Sequence, residues 1–266
     1  MPNRVTRLDA ELVRRGLARS RVQALDLIDA GRVQVRGLIA AKAAGGVDFQ
    51  TPIRLIEDDG APAYVSRGGI KLAGALACFR GLEVQGRRCL DAGASTGGFT
   101  DVLLRAGAAR VIAADVGYGQ LAWALRSDDR VQVLDRTNVR ALTPEQIGGP
   151  VELTVADLSF ISLKLVLAAL GGCTEQTGDL VPMVKPQFEV GRERLGSGGV
   201  VRDPALRAEA VFEVAQQAAV LGWGLAQVAA SPLPGPAGNV EFFLWLRRDA
   251  PEPTRSVIEE IVLEAR

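Results

Sequence analysis

The chain of 266 residues contains no histidine. That absence removes imidazole from any mechanism: Ser-His-Asp and Cys-His hydrolysis, and metal sites built on His ligands, are excluded. Acid–base chemistry must come from carboxylates, lysines or tyrosines. Cysteine is nearly as scarce. Cys78, Cys89 and Cys173 are scattered and form no CxxC pair, so neither a structural zinc site nor a disulfide framework is expected, and a reducing cytoplasm is the natural setting. No run approaches the roughly 18 apolar residues of a membrane span. The early arginines are not followed by the apolar stretch of a secretory signal.

Net charge is also missing, yet the charges are unevenly spread. Residues 1–45 hold nine Arg and Lys (Arg4, Arg7, Arg14, Arg15, Arg19, Arg21, Arg32, Arg36, Lys42) against four acids, and the rest of the chain carries the matching acidic excess. A basic head on an acidic body suggests a polyanionic partner for the head; an Arg-rich solvated helix face is the plainer alternative.

Within that head, Leu8 to Arg15 reads as a short helix with Leu8, Leu12 and Val13 on one face and Gly16 as its stop. Ser20-Arg21-Val22-Gln23 has the form of a capping box, Ser20 as N-cap, opening a second helix with Ala24, Leu25 and Ile28 as its apolar stripe and Gly31 at its end. Val33 and Val35 alternate like a half-buried strand before a turn at Gly37. The start of the second helix, flanked by Arg19 and Arg21, can receive a phosphate. The string RLDAELVRRGLARSRVQALDLIDAGRVQVRG resembles the S4-type RNA-binding module, a small α+β fold, over roughly residues 5–60. By that resemblance Arg4, Arg7, Arg19, Ser20, Arg21 and Lys42 are the RNA-binding candidates. One departure is Arg36, where the module usually has Asn or Asp before the glycine of a tight turn.

The acidic, turn-forming stretch Glu57-Asp58-Asp59-Gly60-Ala61-Pro62-Ala63 is the best domain boundary. It gives an N-terminal domain over 1–60, a linker over 61–65 and a larger domain over 66–266.

From Arg88 onward strand and helix alternate, the pattern of an α/β, Rossmann-like domain. A short strand ends at Asp91 and a Gly-rich turn follows: Asp91, Gly93, Ala94, Ser95, Thr96, Gly97, Gly98, Phe99. A helix through Val102 to Leu104 and a strand over Val111–Ala114 then lead to Asp115, the acid about 20 residues on that suits a ribose hydroxyl pair. The turn is not GxGxxG. An acid opens it, which suits a sulfonium or α-amino group and would repel a pyrophosphate. D-x-G-x-x-x-G-G-aromatic resembles the turn of S-adenosylmethionine methyltransferases, particularly the FtsJ-like group that methylates ribose. Asp91 to Phe99 with Asp115 and Asp157 are thus the cofactor-binding candidates, and no metal is expected.

Later strand ends deliver Asp157 (VADLSFISL) and Lys185 (VPMVKPQFEVG), which belong at one site because ligands bind at the carboxyl ends of parallel strands. Lys71 lies in SRGGIKL upstream, and Glu241 sits in a late strand that reads as antiparallel and that sequence alone does not place. Lys71, Asp157, Lys185 and Glu241 resemble the K-D-K-E tetrad of FtsJ-like 2′-O-methyltransferases, in which Lys185 would take the hydroxyl proton. Lysine is protonated at neutral pH, so a nearby Lys71 and burial would assist that role, while the two acids oppose it unless they act to orient. The loop Arg192–Gly199 either closes over RNA or is a solvated connection. Asp203-Pro204 starts a helix whose Leu206, Ala210, Val211, Val214, Ala218 and Leu221 are core, and Trp223 and Trp245 read as packing residues.

Taken with ADVGYGQLAW and SPLPGPAGNVEFFLWL, these strings resemble the TlyA (hemolysin A) family over roughly residues 5–248, closest to the actinobacterial type. The resemblance implies S-adenosylmethionine-dependent cytidine 2′-O-methylation of ribosomal RNA in both subunits, and a link to capreomycin and viomycin susceptibility. Pro62 stands where the family's linker often has Arg, in R-A-W-V. Two other classes are the alternatives. A pore-forming hemolysin finds no amphipathic basic helix or membrane span in the sequence, and a non-catalytic ribosome-assembly factor would bind RNA through the head without methyl transfer.

Overall fold

A computed structural model of the chain describes residues 5–18, 20–29, 31–40, 42–56, 64–235 and 237–265. It divides into two compact units, Met1–Arg67 and Gly68–Arg266.

The first unit opens with β1 (Thr6–Arg7) and α1 (Leu8–Arg14), followed by α2 (Arg21–Asp29), β2 (Val33–Val35), β3 (Leu38–Ile39), β4 (Gly46–Val47) and β5 (Ile53–Leu55). β1 pairs with β4, and β3-β2-β5 form a second small antiparallel sheet. Leu8, Leu12, Ala24, Ile28, Val33 and Val47 make its core. Gly16, at φ +70, ends α1, and the Ser20 hydroxyl caps α2 by accepting from Gln23 N at 3.1 Å, as the capping box predicts. One expectation fails: Leu25 is exposed, and partly buried Leu27 joins Ala24 and Ile28 against the core instead.

Two acids do unusual work in this small core. Asp9 and Glu11 are almost wholly buried, and each holds two arginines. Asp9 accepts from Arg7 and Arg21, and Glu11 from Arg14 and Arg15. Arg15 reaches on to the carbonyls of Asp48, Phe49 and Thr51. It thus ties the β4–β5 loop to α1.

The second unit begins with α3 (Arg67–Cys78) and continues β6 (Arg88–Ala92), α4 (Gly98–Arg105), β7 (Arg110–Ala114), α5 (Trp123–Arg126), β8 (Val131–Leu134), β9 (Val151–Ala156), α6 (Leu167–Gly172), β10 (Thr174–Val184), α7 (Pro186–Glu189), α8 (Pro204–Val220), β11 (Gly224–Ala230), β12 (Phe242–Arg247) and α9 (Arg255–Glu264). One seven-stranded sheet runs in the order β11-β12-β10-β9-β6-β7-β8. Its central pairs are parallel, and β12 is antiparallel to both neighbours. Central strands read as continuous apolar runs (VIAA in β7, LVPMV in β10) because they are buried on both faces. Asp203 caps α8 by accepting from Ala205 N, and Ala210, Val211, Val214 and Ala218 are buried as expected, while Leu206 and Leu221 are partly so. Trp223 and Trp245 are also core.

Two consequences position the site. β6 lies between β7 and β9, so the chain crosses to opposite sides of β6 and leaves a crevice at its carboxyl end. The reversed direction of β12 brings its first residues to that same edge: Phe242 pairs with Val184, so Glu241 and Lys185 both emerge there.

The β2–β3 hairpin turns on Arg36 and Gly37, with φ +53 and +82, and Val35 pairs with Leu38. This is the two-residue turn with both residues left-handed that favours Asn-Gly, and arginine occupies it at a cost. Arg36→Asn is expected to stabilise the first unit by about 0.5–1 kcal/mol, a magnitude typical of relieving such a residue. Chemical denaturation followed by a probe in that unit reads the shift, and an unchanged midpoint contradicts it.

Candidate active site

The Gly-rich turn leaves β6 with Gly93 at φ +88, donating to Ala114 O at 2.8 Å. A Cβ there would lie 2.4 Å from the Asp157 carbonyl oxygen, so glycine is required by the close passage of the β9 exit. Gly97 caps α4 at φ +98, and a Cβ on it would strike Leu125 and Leu121. This second glycine therefore serves packing between the turn and α5.

A cavity of about 390 Å³ opens over this turn, lined by Gly93, Ser95, Asp115, Asn138, Asp157 and the loop Leu158–Ile161, with Val116, Gln120, Thr137 and Val139. Asp115 accepts from Ser95 N at 2.9 Å and from Gly117 N at 2.7 Å, which fixes its carboxylate across the turn. Among the described residues the lining holds two acids, Asp115 and Asp157, and no lysine or arginine. Such a wall suits a ligand with hydroxyls and a positive centre, and it disfavours a pyrophosphate.

Of the cofactor-binding candidates, Gly93, Ser95, Asp115 and Asp157 line this cavity. Ala94, Thr96, Gly97, Gly98 and Phe99 shape the turn and the start of α4 without being part of the lining, and Phe99 packs on Phe243. Asp91 is fully buried beneath the turn. One carboxylate oxygen accepts from Thr100 Oγ at 2.6 Å and the other has no hydrogen-bond partner. Burial pushes its carboxyl up to about 7, against the Thr100 bond and with the Asp157 and Asp115 charges adding to the rise.

The four tetrad candidates form two pairs. Lys71 Nζ lies 2.5 Å from Glu241 Oε2, both side chains buried. Lys185 Nζ lies 2.6 Å from Asp157 Oδ1 and donates to Ser159 Oγ at 2.8 Å. Each lysine thus has its own carboxylate. Glu241 comes to this edge because β12 is antiparallel to β10, a pairing that its local sequence pattern cannot reveal. Ser159, Asn138 and the exposed Phe160 were missed. Asn138 follows the end of β8, so the carboxyl-edge rule would have found it had that partly buried strand been read.

In the first unit, Arg7 and Arg21 meet on the Asp9 carboxylate with about half or more of each side chain exposed (53% and 61%). The hydrogen bond from Arg7, with Arg21 beside it, holds the Asp9 carboxyl well below the usual range. Lys42 is exposed and Ser20 serves as the α2 cap. Arg4 and Arg19 lie outside the described residues. The loop after α7 is tied down: Asn239 accepts from Val201 N and donates to Gly199 O, and Arg194 pairs with Glu209.

Residues 64–248 match the FtsJ-like methyltransferase family and residues 6–44 match the S4 domain. The chain is 64% identical over 244 residues to the Mycobacterium tuberculosis protein named 16S/23S rRNA (cytidine-2′-O)-methyltransferase TlyA, covering 92% of this chain and 90% of that protein. It is 35% identical to the Brachyspira hyodysenteriae protein named Hemolysin A, over 89% of this chain and 97% of that one. A solved structure from Streptococcus thermophilus, described as a hemolysin, superposes with a TM-score of 0.77 at 38% identity, covering 98% of this chain and 95% of that chain. Among the described residues no helix is long and apolar enough to cross a membrane, and no three His, Cys, Asp or Glu side chains are grouped to hold a metal.

The state of Asp91 has a measurable signature. A carboxyl whose folded value is raised keeps its proton in the native chain while the unfolded chain releases it. Stability is therefore highest below about pH 4 for this group and falls as pH rises towards 7. Asp91→Asn should remove that slope, so melting temperatures of variant and parent diverge between pH 5 and pH 8, the variant holding up better. Parallel curves would show that Asp91 is ionised in the fold.

Proposed function

The chain belongs to the FtsJ-like methyltransferase family, and on that premise we propose that it methylates the cytidine ribose 2′-hydroxyl of ribosomal RNA, in the small and large subunits, with S-adenosylmethionine as donor. The observation that carries this reading is the pairing of two buried lysines with two carboxylates, one of which, Asp157, also lines a cavity with acids and no bases among the described residues of its wall. The name of the 64% identical relative supplies the nucleotide and the subunits.

The cavity residues fit the donor by charge. Asp115 is held by two backbone N–H groups, and each of its oxygens retains a lone pair for a ribose hydroxyl. Asp157 and the partial exposure of its carboxylate provide for a positive centre. Bound there, S-adenosylmethionine supplies a methyl group whose bond to a positively charged sulfur breaks with the electron pair left on sulfur.

The chain's own residues act on the acceptor. Lys185 Nζ has three hydrogen-bonding positions. Asp157 and Ser159 take two, and the third is available to the 2′-hydroxyl. In this reading Lys185 acts as the neutral amine, one proton having first been released to solvent. Its two N–H bonds stay on Asp157 and Ser159, its lone pair takes the 2′-hydroxyl proton as the oxygen gains the methyl group, and Asp157 steadies the ammonium that results. Lys71 is neutralised by Glu241 and borders the acceptor side without adding free charge. In the first unit, the guanidinium faces of Arg7 and Arg21, with Lys42, provide phosphate contacts for the RNA.

Tritiated-methyl transfer to purified ribosomal subunits, followed by mapping of 2′-O-methyl positions, tests the proposal, and no incorporation into either subunit would sink it. Lys185→Ala is expected to lower the transfer rate about 10²–10⁴-fold, the usual worth of a general base, while RNA affinity stays near that of the parent. If binding persists and transfer is unaffected, Lys185 does not carry the proton.

A further inference from the structure

The loop 157–163 and the segment after Lys185 are joined at three successive points. Nearest the sheet, Lys185 binds Asp157 and Ser159. Beyond it, the Phe160 and Phe188 rings meet with centroids 5.2 Å apart. At the third point Glu189 accepts from Ser162 Oγ at 2.5 Å and from Leu163 N at 2.8 Å.

This loop is not held by its own conformation. Phe160 has φ +64 and a side chain 92% exposed, so it gains little from burial and adopts a backbone form that L residues avoid. The flanks must impose that form. One flank is fixed by Asp157 N donating to Ala92 O at 3.0 Å. The other is fixed by Glu189.

Glu189 itself is a costly choice for packing. It is 8% exposed, and among the described residues it has no ion-pair partner, only two neutral donors. A buried carboxylate of this kind stabilises a fold less than an apolar side chain of similar size. Its two acceptor oxygens match the hydroxyl and the N–H at the outer end of the loop.

We infer that Glu189 is a positioning residue for the methyl transfer: by pinning Ser162 and Leu163 to α7 it holds loop 157–163 in the form that sets Asp157 and Ser159 against Lys185. The inference rests on the methyltransferase reading above, and it adds a residue that acts through the loop without touching the acceptor.

The test uses the full chain and ribosomal subunits, with kcat from methyl transfer, S-adenosylmethionine affinity from calorimetry, and melting temperature measured together. Glu189→Ala is expected to lower kcat roughly 30–100-fold, the scale of a misplacement near 1 Å, with a loss in donor affinity at least about tenfold smaller. Glu189→Gln keeps an acceptor for Leu163 N and should recover kcat to within about fivefold of the parent, since most of the geometry is restored. Should Glu189→Ala melt too low to assay, Ser162→Ala decides. It removes one arm of the contact, together with the Ser162 Oγ acceptor for Lys164 N, and should lower kcat about fivefold with only a small drop in melting temperature. The inference is overturned by a Glu189→Ala or Ser162→Ala chain with the parent's kcat, or by a Gln variant as impaired as the Ala variant. A parent that methylates neither subunit removes the methyltransferase reading instead, so the two failures are told apart.

Discussion

A lysine taken out of water must be given a carboxylate, and this chain buries two of them at one edge of one sheet. Lys71 and Lys185 are each less than a tenth exposed, and each ends on its own acid. Leaving such a charge unpaired costs about 3–5 kcal/mol, a large share of the stability of an ordinary domain. Much of the architecture serves that requirement. α3 must bring Lys71 in, β9 and β10 must end together, and β12 must run backwards so that its first residues, and Glu241 with them, reach the edge where the parallel strands finish.

The wall across from these pairs obeys a complementary rule. The turn after β6 carries no base, and the half-buried acid across from it, Asp115 at the end of β7, is pinned by backbone N–H groups instead of by a cation. Asp115 therefore keeps its negative potential directed into the cavity. The lysine charges are spent locally, the carboxylate of Asp115 is not, and the two halves of the crevice differ in polarity within one short span of sheet.

How much of this could be read from the chain follows from how local each feature is. The Asp91–Phe99 turn, Asp115, Asp157 and Lys185 all sit where an apolar run stops, and the stop marks the strand end without knowledge of the fold. Strand order is a property of pairing, so Glu241 was named through resemblance but could not be placed. Leu25 misled because a nine-residue helix with Ala24, Leu25, Leu27 and Ile28 offers more than one apolar stripe, and packing selects among them. Asn138 was hidden behind β8, whose four residues are all only partly buried. Glu189 was invisible for another reason: QFEV reads as connection, and its role depends on a loop some 26 residues earlier.

The separation between Lys71 and Glu241 in the chain is 170 residues. A contact of that span closes late, because the loop entropy it must overcome is set by everything between its ends. The core of the small basic unit closes among residues 8–55 and has no such wait. During synthesis from the N-terminus it can be complete while the last strands of the sheet are still unmade, and the pair of Lys71 with Glu241 comes into being only with the arrival of β12. A nascent chain of this kind has its small basic unit before its paired lysines, and any product that stops short of residue 241 leaves Lys71 without the Glu241 carboxylate.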